Sequence, residues 1–317
     1  MRIRRGRTGV DVLHEATDRW YDTGGADDVP TTVVEFLAGG ERVRDAARTA
    51  IERAVSDGAP STERTASTAF EPRSLRCFAG WEKHWNQAAE TLVRHNLPAV
   101  VPLAKAYRAV TRKTFPPMAP GPEFGRHPVY YTGNHLSIVG DGDPMPWPRY
   151  TEKLDFELEF AAIVASPVRD ASVADARAAL GGFVVFDDFS ARDTQWVEQR
   201  QGLFGPVIKT KTFASSMSAE VVTADEILPV LDDLGGTVTV NGEVWSSTST
   251  AGARWSIAEA LAYASRGESV GPGEVLSSGT LPSGCGLELD RWIQPGDRVT
   301  LSIDRIGSVT NTVAKRA

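Results

Sequence analysis

The chain has 317 residues, of which 41% are hydrophobic and 24% charged, and its formal net charge is -7. This balance fits a folded globular protein and argues against nucleic acid as the main partner. No apolar run approaches the roughly 20 residues that span a bilayer, and the basic stretch Arg2 to Arg7 leads into Thr8-Gly9-Val10-Asp11 rather than an apolar core, so neither a secretory signal nor a membrane association is expected.

In chain order, a helical pattern over Val43 to Val55 stops at Asp57-Gly58-Ala59-Pro60, and polar Ser61 to Ser67 reads as a linker. Residues 1-70 are therefore expected to form a small N-terminal domain with its linker, and residues 71-317 a larger domain. From Phe70 onward, short apolar runs separated by Gly and Pro predict strands at Pro128 to Tyr131, Leu154 to Ala165, Phe183 to Phe186, Gly236 to Val240, Glu274 to Ser277 and Arg298 to Ile303. Asp225 to Leu228 and Ser256 to Ser265 read as helices, the second capped by Ser256. The fold class expected is α+β, predominantly β. Two cysteines, Cys77 and Cys285, have no metal-binding spacing and read as free thiols of a cytoplasmic protein.

Within the predicted strand at Leu154, acidic residues occupy every second position: Asp155, Glu157 and Glu159. Period-two alternation puts Phe156, Leu158 and Phe160 on one face and the carboxylates on the other. An exposed antiparallel strand gives the same pattern, but the run Ala161-Ala-Ile-Val-Ala165 that follows reads as buried on both faces. Buried acids need a partner, and a hard divalent cation held by oxygen ligands supplies one.

Other positions carry chemistry of their own. Asp187-Asp188 ends the strand at Phe183, a usual place for a metal ligand or catalytic acid, although Asp187 or Ser190 also suits a helix cap. Lys209 and Lys211 follow the Gly205-Pro206 turn, where an ammonium either reaches a developing oxyanion or is merely solvated. Of the five histidines, His84 lies in Trp81-Glu-Lys-His-Trp-Asn86 at an expected helix start, as a general base or a surface residue. The small-residue segment Ser278-Gly-Thr280 to Glu288 is suited to wrapping a small ligand with backbone amides, and it lacks the Lys-Ser/Thr ending of a phosphate loop.

Taken in order, Asp155-Phe-Glu-Leu-Glu159, Asp188-Phe-Ser-Ala-Arg-Asp-Thr-Gln195, Ser278-Gly-Thr280 and Pro295-Gly-Asp297 resemble the fumarylacetoacetate hydrolase family, from about Arg73 to the C-terminus. The resemblance implies a mixed β-roll catalytic domain, a homodimer, and a site for Mg²⁺, or for Ca²⁺ or Mn²⁺. It implies Glu157, Glu159 and Asp188 as metal ligands, with Asp155 a neighbour outside the ligand set. Lys211 is implied as the cation that acts with the metal, Tyr131, Gln195 and Thr280 as substrate contacts, and His84 with Glu288 as the pair that activates water. Seven residues before His84, where such members carry a further metal carboxylate, stands Cys77, so three carboxylates and additional water are expected around the ion.

The activity so implied is hydrolysis of a carbon-carbon bond in a small 1,3-dicarbonyl compound such as a diketo acid or acylpyruvate. Decarboxylation, dehydration or tautomerisation of a 2-oxo acid on the same scaffold is the alternative. A catalytically silent binding protein is a further one, motivated by Cys77.

Overall fold

Two large sheets, two further two-stranded ones and the helices against them form the computed structural model, which describes residues 1–200 and 207–316; the expected turn at Gly205-Pro206 lies outside the described residues. The longest path of the larger, 11-stranded sheet runs Arg19–Asp22, Val10–His14, Arg2–Arg5, Glu220–Thr223, Leu180–Asp187, Leu158–Val164, Glu274–Ser277, Ser74–Phe78 and Tyr130–Thr132. Most neighbours are antiparallel, but Glu274–Ser277 runs parallel to Ser74–Phe78. A second sheet of five strands has the order Glu243–Ser249, Gly235–Val240, Arg298–Ile303, Gly307–Val313 and Pro144–Met145.

The strand Leu158–Val164 is buried along its whole length, because each face meets a different core. Leu158, Phe160, Ala162 and Val164 pack with Val238, Leu301 and Val309 of the second sheet. On the opposite face, Ala161 and Ile163 join Val12, Phe36 and Val43 from the N-terminal segment. Strands from residues 1–70 thus extend the same sheet through the pairing of Ile3 with Val221, and the boundary drawn at residue 70 falls between strands that share one sheet and one core.

Several elements lie where the sequence predicts them. Glu274–Ser277 and Arg298–Ile303 match their expected limits, and Ile257–Ala264 starts at Ser256, which forms a capping box with Glu259. The helix over Val43 to Val55 extends to Gly40–Ser56. The expected strand Leu154 to Ala165 is a correction, since it is two strands, Leu154–Asp155 and Leu158–Val164. Side chains break it: Asp155 Oδ1 accepts the Phe156 amide at 2.9 Å and Asp187 Oδ1 accepts the Glu157 amide at 2.9 Å, so neither N–H is left for a ladder. Helices Glu82–Asn96 and Val101–Thr111 make the region before Tyr130 more helical than its sequence texture suggested.

Candidate functional site

The strand break places an acidic pocket at the heart of the larger sheet. Glu159 leaves the strand on the face shared with Ala161, Glu157 follows the break, and Asp188 comes from the end of the neighbouring strand; one carboxylate oxygen from each lies within 4.8 Å of the others. All three residues are buried. Burial, with the charges of Asp188 and Glu157, pushes the Glu159 carboxyl well up. Burial also raises Asp188, against the pull of the Lys211 ammonium. Glu157 goes the other way and is held well below the usual range: burial opposes this, but Lys211, Arg192 and His84 outweigh it.

Lys211 is buried rather than solvated. Its Nζ donates to Glu157 Oε2 at 2.5 Å and to Ser190 Oγ at 2.6 Å, and lies 2.9 Å from Asp188 Oδ2. Its pKa is raised despite burial, because Asp188 and Glu157 surround it. The Tyr131 hydroxyl donates to both oxygens of Asp188, at 2.7 and 2.6 Å. Gln195 accepts from Arg192 Nη1 at 3.0 Å, Thr280 is buried, and the amide of adjacent Gly279 donates to Glu159 Oε2 at 3.1 Å.

Asp155 faces elsewhere. It accepts Arg192 Nε at 2.8 Å and the amides of Gly286 and Leu287 at 2.8 and 2.9 Å, which open the short helix Gly286–Leu289 that carries Glu288. The capping alternative for Asp187 and Ser190 is replaced by inward contacts: Asp187 takes the Glu157 amide, and the Ser190 hydroxyl donates to the Asp188 carbonyl at 2.8 Å. The following helix Arg192–Glu198 has no side-chain cap.

His84 sits in the first turn of Glu82–Asn96, half-buried, with Nδ1 3.0 Å from Glu288 Oε2 but off a hydrogen-bond direction. Catalytic pairs are often loosely aligned before substrate arrives. Glu288 is fixed by the Ser283 amide, which donates to its Oε1 at 2.9 Å. A cavity of about 410 Å³ opens at this point, lined by His84, Trp85, Met118, Arg192, Gln195 and Trp196.

Whether the pocket suits a cation is answered by its charges. Asp155, Glu157, Glu159, Asp187 and Asp188 are buried together, and the buried cations that touch them are Arg192 and Lys211. An uncompensated buried carboxylate costs several kcal/mol, and a set of carboxylate oxygens is what hard divalent ions bind. The residues fit such an ion, with Glu157, Glu159 and Asp188 as its candidate ligands. Cys77 adjoins this set from the strand Ser74–Phe78, its thiol pushed well up by burial and by the charges of Asp188 and Glu159.

Sequence reasoning missed Arg192. It lies inside the Asp-Phe-Ser-Ala-Arg-Asp run, and a basic residue beside two strand-end acids was the available signal.

Fold and pocket together define an α+β protein with a large mixed sheet built around a divalent-cation-capable acidic pocket. The model of the fumarylacetoacetate (FAA) hydrolase C-terminal domain matches residues 99–314, and the chain belongs to this family. His84 and Cys77 lie before the matched segment. Among curated proteins, the chain is 29% identical over 190 residues to the mitochondrial oxaloacetate tautomerase Fahd2a of Rattus norvegicus, and equally to FAHD2B of Homo sapiens. Each alignment spans 59% of this chain and 59% of the relative. Among solved structures, a fumarylacetoacetate hydrolase from Exiguobacterium antarcticum covers 100% of both chains at 22% identity with a TM-score of 0.65. A fumarylpyruvate hydrolase from Pseudomonas aeruginosa, in complex with Mn²⁺ and pyruvate, covers 80% of this chain and 94% of its own at 19% identity, with a TM-score of 0.57. At these identities the structural likeness is one of fold. No helix of the described residues is long and apolar enough to cross a membrane.

Proposed function

We propose that this chain is a metal-dependent hydrolase that cleaves a carbon-carbon bond in a small 1,3-dicarbonyl acid of the acylpyruvate kind. The observation that carries the reading is the His84–Glu288 pair, 3.0 Å apart at the edge of the acidic pocket, with its carboxylate already fixed by the Ser283 amide. Glu157, Glu159 and Asp188 would hold Mg²⁺ or Mn²⁺, which when bound would supply Lewis acidity toward the substrate's carbonyl oxygens.

The chain's own groups do the rest. Glu288 orients the imidazole, and His84 accepts a proton from water as the oxygen adds to the distal carbonyl carbon. The bond between that carbon and the central carbon then breaks, its electron pair passing into an enolate that Lys211 stabilises. The central carbon is reprotonated, and the products are an acid and pyruvate. Gln195 lines the cavity where the substrate chain lies, Thr280 borders the pocket, and Tyr131 holds Asp188. A homodimer in a reducing cytoplasm, where Cys77 and Cys285 stay free, completes the reading.

Tautomerisation of a 2-oxo acid is the second reading, favoured by the names of the curated relatives. It needs enolate stabilisation without added water. Incubation with acylpyruvates in ¹⁸O-labelled water separates the two: label in the released acid, lost in His84→Ala, is expected. Keto-enol interconversion of oxaloacetate at full rate in His84→Ala, with no labelled acid from wild type, overturns the hydrolase.

A further inference from the structure

We propose that His84, Cys285 and Glu288 form a second cation site, suited to a borderline-soft ion such as Zn²⁺, beside the all-oxygen cluster. An imidazole nitrogen, the thiol sulfur and a carboxylate oxygen of these residues lie within 4.8 Å of one another. Cys285 Sγ is 3.3 Å from Glu288 Oε2, and His84 Nδ1 is 3.0 Å from the same oxygen. The edges of a tetrahedral zinc site, whose bonds run about 2.0–2.3 Å, measure roughly 3.3–3.6 Å, so the three side chains approach that spacing already.

Two further features point to a ligand. His84 Nδ1 is a buried nitrogen with no hydrogen bond among the described residues, 3.0 Å from the oxygen it would share an ion with but not directed at it. Glu288 has its other oxygen anchored by the Ser283 amide, and its Oε2 accepts the Cys285 thiol, so the carboxylate is already turned toward the sulfur and an ion would take the place of the thiol proton. His84 also lines the 410 Å³ cavity, which leaves a side open for entry and for a fourth, water ligand.

Donor softness distinguishes the two sites. Imidazole and thiolate favour Zn²⁺, whereas three carboxylates suit Mg²⁺, Ca²⁺ or Mn²⁺. Binding at the second site displaces the Cys285 thiol proton to solvent, and the thiolate with the Glu288 carboxylate balances the ion's two charges. Occupancy ties up the His84 lone pair. On the proposed role of His84, which this consequence alone rests upon, zinc is therefore an inhibitor that acts without displacing the ion from the carboxylates.

Cobalt is the probe, because thiolate-bound Co²⁺ has a near-ultraviolet charge-transfer absorption that carboxylate ligands do not give. With the full chain in saturating Mg²⁺, Co²⁺ is expected to raise this absorption and Zn²⁺ to remove it. Cys285→Ser should abolish the band. Cys77→Ser and Glu157→Gln should keep it, which separates this site from the carboxylate cluster whatever reaction the protein catalyses. Should Cys285→Ser not fold, His84→Ala, at the cavity edge, makes the same test by weakening Co²⁺ binding at least about tenfold. No band in the wild type, a band that survives Cys285→Ser, or one that disappears with Cys77→Ser alone overturns the proposal.

Discussion

The Arg192 guanidinium donates to Asp155 Oδ2 at 2.8 Å in a pair whose side chains are almost wholly buried. The same guanidinium donates from Nη2 to Glu157 Oε1 at 2.6 Å. Asp155 in turn receives the amides of Gly286 and Leu287. The acidic pocket and the helix that carries Glu288 are thus joined through one arginine and one aspartate, beside the backbone bridge between Glu157 and Cys285.

Removing Asp155 should therefore cost both stability and alignment. Asp155→Ala leaves the guanidinium with an unfilled Nε and the amides of Phe156, Gly286 and Leu287 without their acceptor, and breaking a buried pair costs about 3–5 kcal/mol. Urea unfolding is expected to show a loss of this size. A loss below about 1 kcal/mol, the level of an exposed ion pair, would mean that the link is not structural.

Glu159→Gln should change sign with metal. Its carboxyl is raised by burial and by the charges of Asp188 and Glu157, so without an ion the amide removes repulsion and the variant should be as stable as wild type or more so. With Mn²⁺ the order reverses. A ligand at 100 times its Kd stabilises by about 2.7 kcal/mol, and the variant should lose most of this. Equal thermal shifts with Mn²⁺ in both proteins would remove Glu159 from the ligand set.

Lys211→Met tests what balances Glu157 and Asp188. Without the ammonium, both carboxylates lose their closest cation, at 2.5 and 2.9 Å, and about 3–5 kcal/mol of stability should go with it. Mn²⁺ should restore more stability to this variant than it adds to wild type, because the ion then replaces a missing charge. A variant as stable as wild type without metal would show that the acids are already protonated.

How far the sequence discloses this site depends on whether the signal is local. Alternation at Asp155, Glu157 and Glu159 is visible in the chain, and so is the strand-end Asp188. What alternation cannot disclose is the break at Phe156–Glu157, because it is made by two side-chain acceptors, one of them Asp187 from another strand. Periodicity alone leaves Asp155 on the same face as the other two acids, whereas it turns toward Arg192, 37 residues on. The contact between Cys285 and Glu288 is local, but the approach of His84 to both is set by sheet topology over some 200 residues and has no local signature. The same holds for the N-terminal segment: its helix was legible, its place in the large sheet was not, because Ile3 meets Val221 through a pairing that no short pattern encodes.

Acid sensitivity should arise where Glu274 meets Ser74, at the opposite end of the parallel strand pair from Cys77. Glu274 Oε2 accepts Ser74 Oγ and Arg76 Nη1, each at 2.5 Å, and Oε1 takes the Gly271 amide at 2.7 Å. Burial raises its pKa, but Ser74, Arg76 and the Gly271 amide outweigh this and hold it below the usual range. An acid with a depressed folded pKa stabilises fully above its unfolded value, near 4.5, and this stability drains away as pH falls through the folded value. Glu274→Gln should be less stable than wild type at neutral pH, and the difference should shrink below about pH 4.5. A gap independent of pH in denaturation between pH 3 and 7 would assign the effect to packing.

The last prediction concerns the backbone that brings Ser278-Gly-Thr280 against the pocket. Gly279 has φ +85°, and its amide donates to Glu159 Oε2 at 3.1 Å. A Cβ there would lie 2.4 Å from the Phe78 carbonyl oxygen and 2.7 Å from the Gly80 nitrogen, both backbone atoms that cannot swing away. The left-handed conformation alone costs a side chain roughly 1–2 kcal/mol, and the overlap adds to it by forcing Phe78–Gly80 away from residues 278–280. Because Phe78 ends the strand that leads into the His84 helix, that displacement should move His84 relative to Glu288 as well as loosening Glu159. Gly279→Ala is therefore expected to lower stability by more than about 2 kcal/mol and to weaken Mn²⁺ binding together with turnover. Loss of stability with Mn²⁺ affinity and turnover unchanged, measured by calorimetric titration and steady-state kinetics, would show that the close approach serves the fold and not the pocket.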